Sequence, residues 1–125
     1  MYLEGVVEIL ENADVAVAGE TLFINFMPAD KMGILLRDPF GGSKIDYELP
    51  GYSETSFMMV VRHPDPQTAK SMMSEAMKAL TLESTKAGGM QINYMRPRTE
   101  PLVYQPSIAD NIEMITNLDV CYVLL

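Results

Sequence analysis

Few side chains in this sequence are equipped for chemistry, and they stand far apart. His63 is the one histidine and Cys121 the one cysteine. A general base needs a serine or cysteine nucleophile and an orienting group beside it. No motif puts such a set around His63, which ends an apolar run just before Pro64, an ordinary place for a surface histidine. Cys121 lies in the last apolar stretch, on the side away from its main stripe. With nothing cationic near it in sequence, it reads as a small covered thiol rather than a reactive one. A zinc site asks for three or four suitable ligands, and no acidic loop has EF-hand spacing, so neither a metal nor a cofactor is expected. Gly41-Gly42-Ser43-Lys44 superficially suggests a phosphate loop, but the GxxxxGK[ST] spacing is absent and no apolar helix follows. Glu48 and Glu54 offer a carboxylate pair, but among so many glycines and prolines they read as solvating charges. Arg96 and Arg98 flank Pro97 in an expected hairpin. There they either pair with carboxylates of a neighbouring subunit or stay solvated at the tip. No enzyme activity is expected from this set.

The bulk properties narrow the remaining classes. A chain of 125 residues suits one domain, here taken as residues 1–125, with one core. Hydrophobic content is 48% and charged content 21%, ordinary for a globular protein. The formal net charge is -8, with 17 acidic against 9 basic residues and no basic stripe. That argues against a general binder of nucleic acid or anionic membrane, which needs clustered Lys and Arg. No apolar run approaches the roughly 20 residues of a membrane span, and residues near the start lack the pattern of a signal peptide. A single cysteine forms no internal disulfide and fits a reducing compartment. The 11 methionines mostly occupy patterned positions, which favours core filling over adaptable contact surface.

The elements that must position these residues follow from periodicity. Phe57-Met58-Met59-Val60-Val61 is apolar at every position, the mark of a strand covered on both faces. After His63-Pro64, Asp65 is a suitable N-cap and Pro66 a suitable first helical residue. Ala69, Met72, Met73, Ala76, Met77 and Leu80 then recur at helical spacing, so a helix is expected from Pro66 to about Glu83, stopped by Gly88-Gly89. Leu3, Val6, Val7 and Leu10 predict a helix over residues 2–12, weakened by Gly5. Residues 21–27 predict a strand with Leu22, Ile24 and Phe26 on one face, ended by Pro28. Gly41-Gly42-Ser43 predicts a tight hairpin between Ile34-Leu35-Leu36 and Ile45-Asp46-Tyr47. Residues 38–53 as a whole are expected to form a protruding arm, mobile in the free subunit. Met90, Ile92 and Tyr94 alternate against Gln91, Asn93 and Met95; Arg96-Pro97-Arg98 interrupts, and Leu102-Val103-Tyr104 resumes. Residues 111–125 form the clearest alternation, with Ile112, Met114, Leu118, Val120, Tyr122 and Leu124 on one face and Thr116 the polar exception. Strands in runs rather than in strict alternation with helices imply an α+β fold: a mostly antiparallel sheet with an N-terminal helix and one main amphipathic helix on one face.

This order of elements resembles the small tail-terminator and minor-capsid (head–tail joining) proteins of long-tailed bacteriophages. The features that carry the resemblance are the helix before a strand, Phe57-Met58-Met59-Val60-Val61-Arg62 before an amphipathic helix with Ala69 and Leu80, and the closing Leu118-Asp119-Val120-Cys121-Tyr122-Val123. The resemblance implies a structural virion protein, assembled in the host cytoplasm, that forms a homo-oligomeric, hexameric ring capping the tail tube and joining it to the head. Its implied partners are the tail tube protein and a head-completion or neck protein, with no membrane. Genome DNA would pass through without specific binding. On that reading Arg37, Lys44, Arg96 and Arg98 are candidates for bridging subunits, and Asp38, Asp46, Glu48 and Glu54 for lining the lumen and repelling phosphate. The alternative is that net acidity only aids solubility. A head-completion or neck role is the sister reading, and a small ligand-binding regulatory domain is the reading from another class.

Overall fold

The apolar run at residues 57–61 is the middle of the longest central strand pairing, and the rest of the chain is laid around it. The computed structural model describes residues 2–38, 44–45, 52–104 and 111–125, with the backbone alone at 44, 45 and 104. In chain order the elements are α1 (Tyr2–Asn12), β1 (Leu22–Ile24), β2 (Gly33–Arg37), β3 (Lys44–Ile45), β4 (Ser53–His63), α2 (Pro66–Ala79), β5 (Leu82–Ala87), β6 (Met90–Pro97), β7 (Leu102–Tyr104) and β8 (Ile112–Leu124). They form an α+β fold. One sheet runs in the order β1-β2-β4-β8-β6-β5, with β3 beside β4 and β7 beside β8. Among the described strands β1–β2 pair in parallel and the other strand pairs are antiparallel.

Both helices pack on one face. Phe57, Met59 and Val61 of β4 and Leu118 and Val120 of β8 share a core with Leu3, Val6 and Leu10 of α1 and Ala69, Met73, Ala76 and Leu80 from α2 and its cap. Tyr2 stacks on Tyr122, ring centroids 5.0 Å apart, and meets Phe57 at 6.0 Å. Its hydroxyl is enclosed, and desolvation pushes its pKa up. Buried Met59, Met73, Met90, Met95 and Met114 fill this core, as the patterning implied. Thr116 is buried on the same face and donates its hydroxyl to the Thr99 carbonyl at 2.8 Å, which removes the penalty of a polar group in that row.

Gly5 turns out to be a packing device. A Cβ there would overlap the Gly88 carbonyl oxygen, and a Cβ on Gly88 would overlap the Gly5 carbonyl oxygen. The backbone of α1 and the turn before β6 therefore touch directly, and the loss of helix propensity at Gly5 is the cost of that approach.

Several expectations need correction. The main helix ends at Ala79, not near Glu83, because residues 82–87 pair with β6 instead. The Thr81 hydroxyl donates back to the Met77 carbonyl at 2.7 Å, and Leu80 takes φ -96 and ψ 3. Gly88 and Gly89, at φ 60 and 72, are the two-residue turn of the β5–β6 hairpin rather than a helix stop. The expected hairpin from 34–36 to 45–47 does not form between those strands: β2 lies along β4, and Lys44 and Ile45 stand opposite Glu54 and Ser53. Of the expected arm at 38–53, positions 39–43 and 46–51 lie outside the described residues.

The alternation in β6 is broken by a register shift between Ile92 and Tyr94, so Asn93 is extra and Met95, not Tyr94, enters the core. The strand expected over 21–27 stops at Ile24, because Asn25 takes φ 64. Phe26 is thereby turned outward, at 72% exposure, while Met27 is buried on the other sheet face.

Candidate functional site

The face of the sheet away from the helices carries the charged side chains. Register places Glu54, Ser56, Met58, Val60 and Arg62 of β4 there, opposite Cys121, Asp119, Asn117, Ile115 and Glu113 of β8. At one end, Val60, Leu35 and Met27 form a small apolar cluster with Phe23, Met58 and Ile115 against it. Arg62 closes that end. Its Nε donates to Glu113 Oε2 and its Nη1 to the Pro28 carbonyl, both at 3.1 Å.

Toward the other end the face becomes polar. Arg98 donates Nε (2.8 Å) and Nη2 (2.5 Å) to Asp119 Oδ1, which raises the guanidinium pKa further. Arg96 stands opposite Asp119 in register, and its guanidinium carbon lies 4.4 Å from the Tyr94 ring centroid. Partial burial, with Glu54 nearby, raises the Tyr94 hydroxyl pKa.

The residues singled out from sequence are therefore distributed unevenly. Glu54 and Arg96 share this face with Asp119, and Arg37 joins it opposite Met58. Lys44 stands opposite Glu54 in backbone register. Arg98 is engaged by its own chain through Asp119, a partner that sequence reading did not single out and that lies 21 positions away. Asp38 sits elsewhere, bound to Asn25: Asn25 Nδ2 donates to Asp38 Oδ2 at 2.8 Å, and the Asp38 N–H donates to Asn25 Oδ1 at 3.0 Å. Asp46 and Glu48 lie outside the described residues.

His63 has a local structural task. Its Nδ1 accepts the Asp65 N–H at 3.0 Å, which shapes the turn into α2. Asp65 in turn accepts from the Thr68 hydroxyl at 2.6 Å and the Gln67 N–H at 3.4 Å. Cys121 is fully buried. Among the described residues no group of three or more His, Cys, Asp or Glu is arranged to hold a metal ion. No helix among them is long and apolar enough to cross a membrane.

A second feature lies on the helix side. A groove of about 570 Å³ runs between α2 and the β6–β7 connection. Met73, Met77, Pro97, Pro101 and Met114 supply its apolar wall, and Lys70, Lys78 and Glu100 stand at its rim. Nothing in the apolar periodicity marked it, since Met73 and Met77 read simply as helix core.

Comparison with known proteins adds three findings. A family model described as "Bacteriophage tail terminator protein" matches residues 9–116. A solved structure titled "Virion of native gene transfer agent (GTA) particle" contains a chain of similar fold, with a TM-score of 0.62 and 11% identity over 94% of this chain and 93% of that one. At that identity the likeness speaks for the fold alone. Among curated proteins none matches the sequence.

Proposed function

The chain belongs to the bacteriophage tail terminator family and is a structural component of a phage-type virion; on that premise we propose that it works as one subunit of a hexameric ring. The ring caps the tail tube and joins it to the head, with the tail tube protein on one side and a head-completion or neck protein on the other. Its subunits are made and assembled in the host cytoplasm. The observation that carries this reading is the family match across residues 9–116, which spans every element from within α1 into β8. The role is architectural and involves no turnover. A broad ester, phosphate and glycoside panel should stay silent, and activity lost on His63→Ala would overturn that part.

The surplus of 17 acidic over 9 basic residues supports a further division of labour. Arg37, Lys44 and Arg96 bridge subunits, with Arg98 joining them through Asp119. Asp38, Asp46, Glu48 and Glu54 face the DNA path, where carboxylates repel phosphate and deny the genome a binding surface. Screening over about 8 Å at physiological salt restricts that effect to charges close to the path.

Native mass measurement and negative-stain imaging of the purified protein test the ring directly. Six-subunit rings are expected; a monomer or two-fold dimer at every concentration overturns the proposal. Tight duplex binding at moderate salt by the assembled ring would remove the acidic lumen and leave the ring standing.

A further inference from the structure

Phe26 is presented to solvent by a built device. The alternation Leu22, Ile24, Phe26 directs the ring toward the core, yet the φ of 64 at Asn25 reverses it. That conformation is uncommon outside glycine, though asparagine adopts it most readily. Three hydrogen bonds hold it: the Asn25 N–H to the Leu36 carbonyl at 2.7 Å, and the paired amide–carboxylate contacts to Asp38. Downstream, Arg62 grips the Pro28 carbonyl. Lys31 N–H closes a turn on that same carbonyl at 3.0 Å, and Met32 follows, 42% exposed. The result is a rigid projection with Phe26 before the turn, Asp30 within it and Met32 after it. An exposed aromatic on a backbone pinned by hydrogen bonds has less chain freedom to lose on binding, which is the character of an interface anchor.

The groove between α2 and the β6–β7 connection complements this projection. Its apolar wall suits an aromatic ring and a methionine. Lys70 and Lys78 at the rim suit Asp30, and Glu100 suits Lys31. The two features cannot meet within one chain. Met27 seats the projection against Leu35 and Val60 on the open face, whereas the groove lies under α2 on the helix face, with the sheet between them. Phe26 of the same chain therefore cannot fill this groove, whereas a second copy of the chain can present the matching shape and charge to it.

We propose that Phe26 of each copy enters the α2/β6–β7 groove of the next. This contact joins two different patches, so it is heterologous and propagates head to tail, closing into a ring or running on as a filament. It rests on the ring reading above and supplies the specific surfaces for it.

The test uses two variants, each damaged on one side only. Phe26→Asp leaves the groove intact, and the double variant Lys70→Glu, Lys78→Glu leaves the projection intact. All three positions are exposed in the subunit, so both proteins should melt close to wild type. By sedimentation velocity, each variant alone should lose rings, with the subunit contact weakened at least about 30-fold for Phe26→Asp. Mixed together, they should give a one-to-one dimer and nothing larger, because one intact contact remains between them. Rings formed normally by Phe26→Asp would overturn this contact while leaving the ring reading in place. A mixture that stays monomeric where wild type forms rings would do the same. Rings abolished by Leu124→Asp but not by Phe26→Asp would give the groove to the C-terminal leucines instead. Wild type that never exceeds a monomer overturns both readings.

Discussion

On the helix side of the sheet, Phe57, Met59, Leu118 and Val120 are sealed under α1 and α2; on the other side, the residues between them alternate among Met58, Ser56, Asn117 and Asp119. The same two strands thus build one face by burial and the other by mixed charge. Burial of apolar area contributes about 25 cal/mol per Å² and tolerates no unpaired charge. Exposed ion pairs are worth between about 0 and 1 kcal/mol. Most of the buried apolar area therefore lies on one face, and the polar part of the other can change without endangering the fold.

The strongest way to break that contrast is to place a charge under the helices. Met73→Asp or Leu80→Asp, at positions 1% and 0% exposed, should each lower stability by several kcal/mol, on the order of 3–5. Urea denaturation checks this; midpoints equal to wild type for both would show the packed face to be wrongly assigned.

A subtler probe is Gly5→Ala. Helix propensity alone makes it stabilising by about 1 kcal/mol. The backbone contact with Gly88 makes it destabilising by about 1–3 kcal/mol. The sign of the shift in the denaturation midpoint decides which effect wins, and we expect destabilisation.

On the open face, Arg98→Ala and Asp119→Ala should each change stability by less than about 1 kcal/mol, since the Arg98 side chain is 51% exposed. Losses comparable to those of Met73→Asp would erase the distinction between the faces.

The smallest effect belongs to the α2 cap. The Thr68 hydroxyl, then the Gln67 and Thr68 amides and His63, hold the Asp65 carboxyl below the usual carboxylate range. A depressed folded pKa contributes stability that is present above the unfolded value and lost as pH falls through the folded one. Asp65→Ala should melt slightly lower than wild type near neutral pH, and the gap should close as the solution is acidified below the ordinary Asp pKa. A gap that widened toward acid would contradict the cap geometry.

Segments with a strong pattern of their own were legible. The unbroken run at 57–61 had to be a strand, though helices cover only its Phe57, Met59 and Val61 side while Val60 is buried in a small cluster on the other; the Asp65-Pro66 start had to open a helix, and the alternation through residues 111–125 had to be a long half-buried strand. Each of these signals is local and redundant. The site was less legible, because its partners are distant. Asp119 gives no sign in sequence that it will meet Arg98, and Asn25 none that it will bind Asp38. The local signals at Asn25 were its own tolerance of positive φ and Pro28 close behind it.

What the sequence determined by itself is the α+β composition, the central strand, the cap and start of α2, and which stripe of each element is apolar. Those depend on the period and chemistry of contiguous residues. Tertiary structure decided the rest wherever one local pattern served two ends. Gly88-Gly89 permits positive φ equally in a helix stop and in a hairpin turn, and the pairing of 82–87 with β6 selected the turn. Lys44 and Ile45 could line either strand edge, and β4 took them once β2 had paired along its apolar middle. Phe26 had the spacing of a core residue, but the hydrogen bonds that Asn25 donates to the Leu36 carbonyl and exchanges with Asp38 stabilise the reversed backbone that sends it to the surface.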